Sequence, residues 1–298
     1  MYGFSGFMYV NWDVSNIIFQ IGSFAFRWYA LMFILSFAFG MSIFARMVKR
    51  EHKPASLSDN ILVPVALSTF LGARLGHFLF YEPSTFIDNF WYIFIPIENG
   101  SFSGFAGLAS HGAAIGILTG LYWFSRKNKV PYLWTLDRIV ITVALAGFFI
   151  RTGNLMNSEV YGRETSLPWG FIFVRAGETA PRHPSQIYEA LSYLLIFVFL
   201  YLVYLKKRPP YRDGVIFSLF LILVFGARFF IEFLKEVQAG FERNMILDMG
   251  QLLSVPLVGA GVVLLWHLKR KGLTVQTEER KYRPIRRTLK VQSDENKT

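Results

Sequence analysis

The chain contains no cysteine, which excludes disulfide bonds, thiolate metal sites and a cysteine nucleophile of its own. Charge is scarce as well. Asp, Glu, Lys and Arg make up 17% of the 298 residues, against the ~25% usual in soluble domains. With 53% hydrophobic residues and a mean hydropathy of +0.37, the composition is that of a polytopic membrane protein rather than a soluble domain built on one core. No basic stretch precedes an apolar run in the opening "MYGFSGFMYVNWDVSN", so a cleaved signal peptide is not expected. His, Asp and Glu show no ligand spacing and there is no glycine-rich phosphate loop, so neither a metal nor a cofactor is expected. Acidic residues are the scarcer sign, 20 against 31 Lys and Arg, for a net charge of +11. In a soluble protein that excess would suggest nucleic acid. Here membrane topology competes, and the distribution of the charges decides.

Runs of about 20 mostly apolar residues, the length that crosses a bilayer, fall at 24–45, 61–81, 105–124, 136–150, 187–205, 215–234 and 246–268. The expected architecture is an all-α polytopic membrane protein of about seven transmembrane helices, with a small extracytoplasmic head segment at about 152–184. Residues 1–268 form the membrane domain and 269–298 a basic tail. Alternate loops are basic: Arg46, Lys49, Arg50 and Lys53 follow the first span, Arg126, Lys127 and Lys129 the third, Lys206, Lys207, Arg208 and Arg212 the fifth, and Lys269, Arg270 and Lys271 the seventh. The loop after the second span carries Glu82, Asp88 and Glu98 and no Lys or Arg. The positive-inside rule then puts the N-terminus outside and the C-terminus in the cytoplasm. Topology accounts for the positive excess, nucleic acid is not an expected partner, and "RKYRPIRR" from Arg280 reads as a solvated cytoplasmic tail.

Topology converts position into depth at about 1.5 Å per helical residue. Arg74 falls in the outer half of the second span, His111 about 10 Å below the outer boundary in the third, and Arg151 at the outer end of the fourth. Tyr188 and Glu189 lie in the first turn of the fifth, Arg228 and Glu232 in the outer half of the sixth, and Tyr29 just inside the first. Ionisable groups inside spans are costly unless paired, and mark sites by default. Each has a plainer account: Arg228 and Glu232, four residues apart, can neutralise each other; Arg74 can be a packing arginine; His111 can be an interhelical hydrogen-bond partner; Tyr29 can belong with Trp28 to an aromatic belt. Their convergence at one depth weighs more than any member. Gly112, Gly116 and Gly120, with Gly72 and Gly76 around Arg74, form small-xxx-small patterns that let helix backbones approach.

Arginines at the outer headgroup level suit a phospholipid phosphate, which guanidinium forks bind bidentately. Asn154, Asn157 and Glu159 would then order glycerol hydroxyls. A lipid or solute permease is the alternative from another class. Transporter sites, however, gather near the midplane on broken helices with repeat symmetry, which this sequence does not show.

Five motifs occur in order: "HGAAIG" at His111, "RTGNLMNSEVYGR" at Arg151, "RHPSQIYEA" at Arg182, "RFFIEFLKE" at Arg228 and "MGQLLSVPLVGAG" at Met249. Together they resemble the bacterial prolipoprotein diacylglyceryl transferase family, and the likeness extends from about Arg27 to Gly261. The resemblance implies seven spans in the bacterial inner membrane, N-terminus out and C-terminus in. It implies transfer of diacylglyceryl from phosphatidylglycerol to the lipobox cysteine of preprolipoprotein signal peptides, with release of glycerol phosphate. By resemblance Arg151 and Arg228 are essential phosphate-binding positions, and Tyr29, His111, Asn154, Glu159, Gly162 and Glu232 are important ones; Asn157 and Arg74 join the expected substrate-binding set from the residues themselves. Glycines of the family pattern are replaced by Ala113 and Ser158, both small enough to keep close packing, and the segment after Glu232 reads Phe233-Leu234-Lys235-Glu236-Val237-Gln238 where the family commonly shows F-x-R-x-P-D. The transfer needs a base for the thiol and donors for charge growing on the phosphate. His111 is the leading candidate for the base and Glu232 the second.

Overall fold

A computed structural model describes residues 9–22, 24–80, 97–98, 101–102, 109–206, 212–236 and 245–270. Among them are seven helices of 18 residues or more: α1 Trp28–Arg50, α3 Leu62–Phe80, α4 Ser110–Lys127, α5 Tyr132–Met156, α6 Ser185–Lys206, α7 Val215–Glu232 and α8 Met249–Arg270, with the short α2 Ser56–Asp59 leading into α3. Six spans are long and apolar enough to cross a membrane, and α4, at 18 residues, is about 27 Å long. The protein is an all-α polytopic membrane protein. Its outward faces carry large apolar side chains such as Leu195 and Phe230, which acyl chains rather than water would cover. The acidic loop with Glu82 and Asp88, and the tail beyond Arg270, lie outside the described residues.

The first apolar run does not become helix at its start. Phe24–Arg27 is a strand, β3, paired antiparallel with β2 (Ile17–Ile21). The aromatic and β-branched alternation of "IIFQI" and "FAFR" suits a strand, and Gly22 at φ 60° makes the turn. Helix α1 begins only at Trp28, whose N–H donates to the Asn16 carbonyl.

The chain divides into two compact units, one of Met1–Phe33 with Ala144–Thr298 and one of Ile34–Val143. In the second, α3 and α4 meet along the glycines. A Cβ on Gly76 would lie 2.8 Å from the Gly112 Cα, and one on Gly112 would strike the Gly72 carbonyl, so only hydrogen fits at these crossings. The same unit explains why the fourth helix is longer than its apolar run. Arg138 and Asp137 are buried, and Glu51 accepts from Arg138 Nε and Nη2 at 2.9 Å each and from Trp134 Nε1 at 2.6 Å. These charges clamp helix to loop instead of marking an end, and α5 starts directly after Pro131.

In the first unit, β1 (Val10–Trp12) pairs in parallel with β4 (Phe171–Phe173), and Trp12 Nε1 donates to the Leu155 carbonyl at 3.0 Å. The segment between α5 and α6 spans 157–184. Tyr161 stacks on Phe173 at 5.0 Å between centroids, and α6 begins immediately after Pro184.

Candidate active site

The turn that follows α5 is strained. Ser158 (φ 53°) and Val160 (φ 60°) both occupy the left-handed region, which is costly for a β-branched residue. Tertiary bonds hold it. Ser185 Oγ donates to the Val160 carbonyl and Gln186 Nε2 to the Glu159 carbonyl, both at 2.8 Å, from fully buried side chains in the first turn of α6. Ser158 thus stands where glycine would serve by conformation as well as size.

Held in this way, the Glu159 side chain turns back on the helix end. Its Oε1 accepts from Asn154 Nδ2 at 2.7 Å and from Asn157 Nδ2 at 3.4 Å, while Arg151 Nη1 reaches Asn154 Oδ1 at 3.4 Å. Four sequence-predicted residues therefore form one network. Tyr29 belongs beside it: a Cβ on Gly153 would lie 2.8 Å from the Tyr29 ring, so the glycine admits the ring against α5.

The two arginines are linked through Glu232 and through Glu189 and Lys235, to which the sequence reading gave no role. Arg151 Nε lies 2.9 Å from Glu189 Oε2; Glu189 Oε1 lies 3.0 Å from Lys235 Nζ; Lys235 Nζ lies 3.2 Å from Glu232 Oε2; and Glu232 Oε2 lies 3.8 Å from Arg228 Nε. Charge alternates along the row, cation at both ends. Glu189 is fully buried and Lys235 3% exposed, whereas Arg151 and Arg228 are 17% and 38% exposed. Neither Glu189 Oε2 nor Arg228 Nε has an aligned hydrogen bond, so both end contacts are ion pairs of loose geometry. The pairing of Arg228 with Glu232 foreseen from their spacing is present but weak, because Glu232 sits closer to Lys235. The Glu232 carboxylate also presses on α8: a Cβ on Gly250 would fall 2.6 Å from its carboxyl carbon.

Lys235 is fixed by its backbone as well. Gly162 and Lys235 form an antiparallel bridge, Arg163 N donates to the Leu234 carbonyl and Arg163 Nε to the Lys235 carbonyl, each at 2.9 Å. A Cβ at Gly162 would strike the Leu234 carbonyl and lie 2.6 Å from His183 Cβ, so this glycine lets the two backbones meet. Arg74 and His111 belong to the other unit. Arg74 is buried with its guanidinium 4.8 Å from the Phe78 ring centroid; His111 lies in the first turn of α4, and its side chain is outside the described residues.

Outside the helices, burial and a hydrogen bond to Glu178 push the Tyr161 hydroxyl up to about 12, and that same bond holds the Glu178 carboxyl below its usual range. Burial lowers His183, whose Nδ1 lies 3.3 Å from the Tyr188 hydroxyl.

Apolar helices whose ends gather three cations and three carboxylates define a membrane protein with a built polar site. The family described as prolipoprotein diacylglyceryl transferase matches residues 16–267. Relatives include the phosphatidylglycerol–prolipoprotein diacylglyceryl transferases of Tolumonas auensis, 41% identical with 85% of this chain and 95% of the relative covered, and of Chloroherpeton thalassium, 40% identical with 90% and 98% covered. That of Bacteroides fragilis is 34% identical, with 88% and 96% covered. The chain belongs to the prolipoprotein diacylglyceryl transferase family.

Proposed function

We propose that this protein transfers the diacylglyceryl group of phosphatidylglycerol to the lipobox cysteine of preprolipoprotein signal peptides. The observation that carries the reading is the pair of arginines, Arg151 and Arg228, at the two ends of one buried row of ion pairs. The acceptor sulfur, deprotonated, attacks the terminal glyceryl carbon of the lipid. A carbon–sulfur bond forms as the carbon–oxygen bond to phosphate breaks, and glycerol phosphate leaves with the bonding electrons. Two guanidinium groups stabilise the charge that grows on the phosphate oxygen. Asn154, Asn157 and Glu159 orient the glycerol headgroup, and Gly162 and Tyr29 shape the site. Glu232 is committed to Lys235 and Arg228, which favours His111 as the group that takes the thiol proton.

The same reading has seven spans in the bacterial inner membrane, the N-terminus and the 157–184 head outside, and residues 269–298 as a cytoplasmic tail. The alternating basic loops support it. A reporter after Lys129 should read cytoplasmic and one between Glu82 and Glu98 extracytoplasmic. The activity is tested by release of glycerol phosphate from phosphatidylglycerol vesicles given a lipobox peptide. A permease, the other reading, makes no product.

A further inference from the structure

We propose that Lys235 is a positioning residue for phosphodiester binding: by holding Glu189 and Glu232 together, it fixes the distance and orientation of Arg151 and Arg228. This deepens the transferase reading and rests on it. One ammonium lies 3.0 Å from Glu189 Oε1 and 3.2 Å from Glu232 Oε2, so the two carboxylates share a single cation at the centre of the row. Each carboxylate turns its remaining reach to one arginine through Nε, at 2.9 Å for Arg151 and 3.8 Å for Arg228. An arginine paired at Nε leaves its terminal nitrogens as the donors that match a phosphate fork, although in Arg151 one of them, Nη1, also reaches Asn154 Oδ1 at 3.4 Å.

Lys235 is itself immobilised. Its carbonyl takes Arg163 Nε, its neighbour Leu234 takes Arg163 N, and Gly162 gives the space for both. The centre is buried while the ends are partly exposed, so the row is a rigid mount with its working groups outermost. Three cations face two carboxylates along the row, with a cation at each end. Remove Lys235 and two buried carboxylates face each other with only the arginines to neutralise them. Each guanidinium would then rotate from single Nε contact to a two-nitrogen grip on its carboxylate, turning its terminal donors away from the lipid.

A purely structural lysine would serve only to neutralise Glu189, and a double substitution separates the two roles. Lys235→Met/Glu189→Gln removes one charge of each sign, relieves the buried carboxylate and leaves the net charge of the row unchanged. Purified protein in phosphatidylglycerol vesicles is assayed for glycerol phosphate release, with kcat and KM for lipid and for peptide measured separately and detergent melting as the folding check. Expected are a loss of at least about tenfold in kcat for both Lys235→Met and the double variant, the scale of a misaligned site, with the peptide KM little changed. Lys235→Arg, which can bridge both carboxylates, should recover turnover to within about threefold. A folded double variant that turns over like wild type overturns the positioning role, since neutralisation alone would then suffice. Absence of product from the wild type would instead sink the transferase reading and is scored first.

Discussion

Arginine 151 bears the sharpest test. Its Nε is engaged by Glu189 at 2.9 Å and one terminal nitrogen reaches Asn154 at 3.4 Å, so a single planar group serves the ion-pair row and the Asn154–Glu159 network together. In Arg151→Lys one nitrogen at the end of the side chain must choose between Glu189 and the phosphate. If it stays on Glu189, the site loses one preorganised donor to the developing anion, worth about 10²–10³ in kcat, or ~2.7–4 kcal/mol. Folding should survive, because Glu189 keeps Lys235 at 3.0 Å. The assay is glycerol phosphate release under saturating peptide, at matched melting temperature. Turnover within about threefold of wild type would refute the fork argument and leave Arg151 as an anchor for α6. Arg228→Lys, whose Nε makes only a 3.8 Å contact, should lose about as much through the same donors while melting closer to wild type.

Gly162→Ala should drive its new methyl into the Leu234 carbonyl and His183 Cβ, parting the two backbones; at least about 1–3 kcal/mol of stability and most turnover should go, and an unchanged melting curve would contradict the close approach. Ser158→Gly should melt at or above the wild-type temperature, because it relieves a residue at φ 53° and removes a buried hydroxyl without a hydrogen-bond partner; a clear drop would show that the serine earns its place otherwise. Burial holds the His183 imidazole below its ordinary 6.5, so the unfolded chain binds the proton first: stability is full above about pH 6.5 and falls as pH drops through the lowered folded value. His183→Gln should flatten the decline in melting temperature between pH 7 and 5, whereas Glu178 titrates lower and lies outside that window. An identical slope in the variant would assign the decline to other groups.

The helices were legible because apolar length is local information, and each of the seven runs overlaps one of the long helices. Boundaries went wrong where a local rule met a tertiary partner. Phe24 to Arg27 read as membrane helix because the run is apolar, but strand pairing with Ile17–Ile21 claimed it. The fourth run reads as 136–150, but α5 extends from Tyr132 to Met156, and Glu51 makes the burial of Arg138 inside it tolerable. At the site, Arg151, Asn154, Asn157 and Glu159 could be grouped from sequence because they share one helix end. Glu189 was visible in the first turn of its span, and Lys235 only as a departure from the family pattern. Neither carries a spacing signal to the other, 46 positions apart, and only the contact between them reveals their use. Gly250 is silent for the same reason: its value is the space it leaves for Glu232.

The parallel pairing of Val10–Trp12 with Phe171–Phe173 imposes an order on synthesis. Parallel strands cannot close through a tight turn, and here the first strand leaves the ribosome 161 residues before its partner. At roughly 5–20 residues per second, it waits on the order of ten to thirty seconds, while the long helices α1, α3, α4 and α5 are delivered to the membrane. Trp12 has no indole acceptor during that time, since Leu155 is made almost as late. The amino-terminal segment is thus the earliest part of the chain to be made and among the last to be locked, and its docking reports that insertion through α5 has finished.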